Sequence, residues 1–182
     1  MLFIFGILHV IVPVFVLFAF GVYIVYNTIS MILFGVPHSL SMTYYLFKEQ
    51  GFNLRYLFPI LIATMVVCLM PGWIEISEGS TYQFTAFLSA AGLAFVGAAP
   101  MFLKDNNVYA VHTTGALVSA LFAILWIVLV AKTFDILLIC GLGCLLLMFV
   151  TKTTKSSYIY WLENIAFLST FISIIKYYYA IQ

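Results

Sequence analysis

The passage "VPHSLSMTYYLFKEQ", residues 36–50, interrupts an otherwise apolar chain. It supplies an imidazole at His38, hydroxyls at Ser39 and Ser41 and phenols at Tyr44 and Tyr45, and Arg55 follows shortly. Asp105 and His112 stand further on, two helical turns apart, and Glu163 opens the last apolar run. Arginine, tyrosine and histidine at a membrane boundary suit a lipid headgroup: Arg55 for phosphate, the tyrosines for the interface, His112 as hydrogen-bond partner. His112 with Asp105 and Ser39 or Ser41 is instead the inventory of a hydrolase acting on lipid acyl or phosphoryl groups, though no nucleophile motif accompanies it. Zinc needs several converging ligands, and His9, His38 and His112 include no i,i+4 pair. Cys140 and Cys144 lie one turn apart without a histidine to complete a site, and with Cys68 they read as small packing residues. No metal and no cofactor is expected.

The elements that must position these groups follow from composition. Of 182 residues, 65% are apolar and 7% charged, against roughly 45–50% and 25% in soluble domains. Seven basic and six acidic side chains do not make a water-facing surface of this size. Lipid is therefore the solvent, and long unbroken apolar runs select helices over a barrel. The expected fold is an all-α, polytopic transmembrane bundle forming a single integral membrane domain over residues 1–182. A net charge of +1 without a basic cluster argues against nucleic acid as partner. Membrane lipids are the expected partners, in a multi-pass protein of the bacterial inner membrane.

The apolar runs are approximately 2–26, 56–74, 82–103, 108–131, 134–151 and 158–179, each near the ~20 residues that a bilayer core requires. The first lacks a basic n-region and a small-residue cleavage site, so it reads as a retained helix. Polar breaks separate the runs, beginning with "NTIS" after the first. Residues 30–47 are apolar enough for a seventh span, but polar groups at mid-depth are costly. Six spans plus a short half-inserted segment is the favoured reading. Lys48, Arg55, Lys104, Lys152 and Lys155 then share one face, opposite Lys132, Lys176, Glu75 and Glu78. The basic excess assigns the first face to the cytoplasm and both termini to the outside.

Small residues mark a close helix contact. Ala86, Ala90, Ala94 and Ala98 recur every fourth residue in the third run, and Gly115, Ser119 and Ala123 answer in the fourth. The expectation is a tight hairpin with Ala90, Ala94 and Ala98 facing Gly115 or Ser119. Such faces also serve self-association, which keeps a structural subunit or an oligomeric pore among the readings.

"VPHSLSMTYY", with Arg55 ahead of the next helix, resembles the proline–serine–Tyr-Tyr…Arg passage of bacterial membrane proteins related to the Frag/DRAM/Sfk family. "AAGLAFVGAAPMF…VYAVHTTGALVSA" is similar to that family's third and fourth helices, and Glu163 fits its glutamate at the start of the last helix. Its eukaryotic members include autophagy modulators, a Golgi factor that remodels GPI lipid anchors, and proteins linked to phospholipid asymmetry. The resemblance implies a six-helix membrane protein whose polar pocket is lined by Ser39, Ser41, Tyr44, Tyr45 and His112. The functional expectation is a protein that binds a lipid headgroup and modulates lipid handling without a transport cycle. The site residues are His38, Ser39, Ser41, Tyr44, Tyr45, Arg55, His112 and Glu163. The alternatives are a lipid-acting enzyme using His112 with Asp105 or a serine, and a structural or pore subunit.

Overall fold

The computed structural model describes residues 2–50, 53–133, 139–143, 146 and 157–180, and of residues 2–10, 53 and 180 the backbone alone. The elements are α1 (Leu2–Phe34), α2 (Thr43–Glu49), a 3-10 turn (Asn53–Tyr56), α3 (Leu57–Ser77), α4 (Phe84–Ala98) and α5 (Asn106–Trp126). A π-helical turn (Ile127–Ala131) extends α5, and α6 is Tyr158–Ala180. Residues 139–143 are helical too, and no strand occurs among the described residues.

Four stretches are long and apolar enough to cross a bilayer: Ile11–Phe34, Leu54–Ser77, Asn106–Ala131 and Tyr158–Tyr179. The chain is a multi-pass helical membrane protein. The third expected run forms only the 15 residues of α4, about 22 Å, shorter than a typical span. The fifth expected run, 134–151, lies largely outside the described residues, as do Cys144, Lys152, Lys155 and the side chain of His9.

One expectation about the N-terminal half is corrected, and the seven-span alternative falls away. The "NTIS" break is no break: α1 continues through it to Phe34, where Gly35 at φ +71° donates its N–H to the Met31 carbonyl at 2.9 Å and stops the helix. Asn27 and Ser30 are buried there, so these polar side chains face protein instead of ending the helix. Nor do residues 30–47 form a seventh span. The chain turns after Gly35 and makes α2, whose seven residues cover about 10 Å.

Helices α4 and α5 pair closely, as expected and through the expected Gly115 and Ser119 of α5, but only part of the expected α4 ribbon faces them. Ala86 and Ala90 are buried, whereas Ala94 and Ala98 are exposed. The reason is geometric: at 3.6 residues per turn, each four-residue step rotates about 40°, so the ribbon winds off one face over three steps. Ser89 and Gly92 make the contact instead. The Ser89 hydroxyl donates to the Ser119 carbonyl at 3.2 Å. A Cβ on Gly92 would lie 2.6 Å from both the Gly115 carbonyl oxygen and the Ser119 nitrogen. Backbone thus lies against backbone, which only the missing side chain allows.

The polar loops sort to two ends. Arg55 precedes α3 and Glu75 lies in its last turns. The Leu103 N–H donates to the Tyr45 hydroxyl at 2.8 Å, joining the α2 side to the loop that carries Lys104. At the far end the Tyr178 hydroxyl donates to Glu75 at 2.5 Å, and the Thr133 and Ser173 hydroxyls meet at 2.6 Å. Lys48, Arg55 and Lys104 therefore share one end, opposite Glu75, Glu78 and Lys132.

A Gly92→Ala variant should lose about 1–3 kcal/mol through overpacking against the α5 backbone, read as a lower melting temperature in detergent. Ala94→Leu, on the exposed side of the same helix, should stay within about 0.5 kcal/mol of the parent. Equal effects of the two would contradict this packing.

Candidate functional site

The polar passage after α1 is anchored on three sides, by α6, by α1 and by the α4–α5 loop. Its first residues lie along the start of α6: the Tyr160 N–H donates to the His38 carbonyl at 3.1 Å, and the Leu40 N–H to Glu163 Oε2 at 2.6 Å. Its middle is held to α1, where the Tyr26 and Thr43 hydroxyls share a short hydrogen bond and Thr43 Oγ1 donates to the Leu40 carbonyl at 2.5 Å. Its last part meets the α4–α5 loop through Tyr45, whose ring packs 5.4 Å from that of Phe102. Burial raises the Tyr45 phenol above its ordinary range, so it stays a neutral partner for the Leu103 N–H.

The expected site residues divide into two groups. Phe102 stacks on His112 at 4.3 Å and 19°, so Tyr45 reaches His112 through one intervening ring. His112 is buried and faces protein, its Nδ1 lying 3.0 Å from the Ala99 carbonyl. Ser39 and Ser41 are buried and hydrogen-bond each other at 3.0 Å, while Ser39 Oγ also accepts the Met42 N–H at 3.2 Å. Tyr44 is buried edge-on against Tyr45 at 5.2 Å. His38 is exposed and engages α6 through its carbonyl. Asp105 caps α5, its Oδ1 accepting from the Asn107 N–H at 2.6 Å and the Val108 N–H at 3.4 Å. Its carboxylate therefore serves its own helix. Arg55 is half-buried, donates from Nη2 to the Tyr56 hydroxyl at 2.8 Å, and keeps a buried Nε without a partner.

Glu163 belongs to neither group. It lies at the wall of a cavity of about 80 Å³ between α3, α4, α5 and α6, with Leu40 of the anchored segment beside it. One water needs only about 10–15 Å³, so the space exceeds a solvation site. The lining is apolar apart from Glu163, Ser89, Ser119, Thr170 and the indole N–H of Trp73, which is buried without a partner among the described residues. The hydroxyls of Ser89 and Thr170 already donate to backbone carbonyls. The cavity's lining residues run from Ser89 to Val96 on α4, from Ala116 to Ala123 on α5 and from Glu163 to Thr170 on α6, about 10 Å of each helix, and on α3 from Phe58 to Trp73. Its width is set by Ala116, Ala120, Ala123 and Ala166. Small residues on one face of α5 thus pack α4, and those on the next leave a slot.

Sequence reasoning missed the framework that fixes Glu163. Tyr23 and Asn27 on α1, and Tyr160 and Asn164 on α6, form two Tyr-x-x-x-Asn pairs. Each asparagine donates to the tyrosine carbonyl of its own helix, at 2.9 Å for Asn27 and 2.7 Å for Asn164. Each asparagine oxygen accepts from the tyrosine hydroxyl of the other helix: Tyr160 to Asn27 at 2.7 Å, and Tyr23 to Asn164 by a shorter bond. The repeated i,i+4 spacing was the available signal.

The fold and site define a multi-pass helical bundle with an apolar slot and one carboxyl group at its wall. Neither family models nor curated proteins nor solved structures gave a match to this chain. Among the described residues no three His, Cys, Asp or Glu side chains gather as a metal site requires.

Replacing Asn27 or Asn164 by alanine should cost roughly 1–2 kcal/mol each, the range for interhelical hydrogen bonds in model membrane peptides. Because the two share a network, the double variant should lose measurably less than the summed single losses in a double-mutant cycle. Strict additivity of unfolding free energies would show that the reciprocal pairing is not formed.

Proposed function

We propose that this protein binds a membrane lipid, one alkyl chain entering the slot while the headgroup stays at the boundary near Glu163, Tyr45 and Arg55. The slot itself carries the reading. It is narrow and mostly apolar, and the segment that borders it is held by hydrogen bonds to two helices and to the α4–α5 loop. Arg55 supports the headgroup assignment, since its buried Nε is a donor without a partner among the described residues and a guanidinium suits phosphate. The tyrosines fit the headgroup level.

The protein holds or presents a lipid and in that way modulates lipid handling, without alternating access. The resemblance to the Frag/DRAM/Sfk family, the bacterial inner-membrane location and the cytoplasmic assignment of the Lys48–Arg55–Lys104 face belong to the same proposal. His112 acts in it as a fastener of the α4–α5 hairpin, positioning Phe102 under Tyr45.

The test is native mass spectrometry of protein released from lipid. The wild type should retain about one lipid per chain. Ala120→Phe, which fills the slot, should lower that occupancy about tenfold while the helical circular dichroism persists. If Ala120→Phe retains as much lipid as the wild type, the slot is not the binding site.

A further inference from the structure

We infer that the slot selects amphiphiles whose headgroup donates a hydrogen bond, an amine or a hydroxyl, and that Glu163 Oε1 is the atom that recognises them. This rests on the lipid-binding reading and specifies its ligand. Glu163 uses Oε2 for the Leu40 N–H, and Oε1 has no partner among the described residues. It is the only ionisable side chain among the described lining residues. Ser89 and Thr170 spend their protons on backbone carbonyls, while the Ser119 hydroxyl and the Trp73 indole N–H, the latter without a partner among the described residues, line the slot deeper in. An acceptor at an apolar wall is costly to leave unfilled and rewards a ligand that brings a donor.

The position of Glu163 also fits a headgroup, not a chain terminus. It lies one to two turns into α6, beside the anchored segment, while Trp73 and Thr170 lie deeper along their helices. A chain that enters past Leu40 therefore places its polar end at Glu163 and its tail toward Trp73. A long-chain carboxylate would bring two like charges together when both groups are ionised. An amine or alcohol of equal length makes one further hydrogen bond, charge-assisted for the ammonium. The Leu40 N–H fixes the carboxyl group from the other side, so the free oxygen is already oriented before a ligand arrives.

The slot reports on itself by fluorescence. Trp73 lines it, and Trp126 packs against Trp73 at 6.3 Å between ring centroids. Trp161 is exposed and is removed as Trp161→Phe. Terminally brominated dodecylamine, dodecanol and dodecanoate are titrated against this protein in maltoside micelles, with bromine quenching of the buried tryptophans as the signal. The amine should reach half-quenching at a concentration about ten- to a hundredfold below that of the carboxylate, with the alcohol between. Glu163→Gln should bring the three within about threefold of one another. Ala120→Phe should abolish quenching by all of them. Equal quenching by the three probes in the wild type, or preference for the carboxylate, overturns the headgroup assignment and leaves the slot in place. No quenching by any probe, or quenching that persists in Ala120→Phe, overturns the lipid-binding reading itself. The wild-type ranking decides the first question even if Glu163→Gln does not fold.

Discussion

In hydrocarbon a polar side chain finds no water, so its partner must come from the protein itself. That constraint places Tyr23, Asn27, Tyr160 and Asn164 face to face, and much of the architecture hangs on their pairing. Helices α1 and α6 are far apart in sequence, and neither has a strongly amphipathic pattern. What orients them is two identical Tyr-x-x-x-Asn pairs that satisfy each other reciprocally. Every phenol and amide in the set has a named partner, so rotating either helix would strand several groups at once. Each stranded group would cost on the order of 1–3 kcal/mol, a steep penalty against slippage.

The same pairing determines where the segment after α1 goes. Tyr160 joins the network through its hydroxyl and holds the His38 carbonyl through its backbone N–H. Tyr26, one turn from Tyr23 on α1, holds Thr43. Once α1 and α6 are docked, residues 38–43 are bound from both sides, and the Leu40 N–H meets the Glu163 carboxyl group. The tyrosines then carry the segment on to Phe102 and His112. A passage that looks like a loop in the sequence is therefore as well supported as a helix. Side-chain and backbone bonds to three neighbours replace the ladder it lacks.

How much of this was legible follows from the range of each signal. Membrane class, helical architecture and three of the four long spans came from apolar run length, a local property. The α4–α5 pairing was visible in the small residues, but the contacting face of α4 was not. A four-residue repeat reads as a straight line in sequence and winds on a real helix, so Gly92 was overlooked in favour of Ala94 and Ala98. Asn27 was read as a break because a polar residue in an apolar run has two outcomes, and only the distant Tyr160 decides between them. Glu163 was recognised as a boundary acid, and its association with Leu40, 123 residues away in the chain, could not be read from spacing. His112 was expected to meet a lipid headgroup, but it is buried with the Ala99 carbonyl as its partner, and backbone carries no sequence signal.

The slot is a place where this structure leaves contacts unmade. A void of about 80 Å³ costs roughly 2 kcal/mol at 24 cal/mol per Å³, a large share of a marginal stability. The cost is avoidable in chemical terms, because a leucine at Ala116, Ala120 or Ala166 would fill the space with apolar atoms. The helices elsewhere are closely packed: Gly92 against Gly115, Trp73 against Trp126, Phe171 against Phe20 and Tyr23. A bundle that packs backbone to backbone on one face of α5, and keeps alanines around a vacancy on the next, is not short of packing options. Departures from local optimality concentrate where function is built. Here the departure coincides with the only ionisable group on the cavity wall among the described residues. That coincidence makes the slot a site by construction: the alanines make room for the chain of a guest, and the carboxyl group, already fixed by Leu40, gives the guest an orientation.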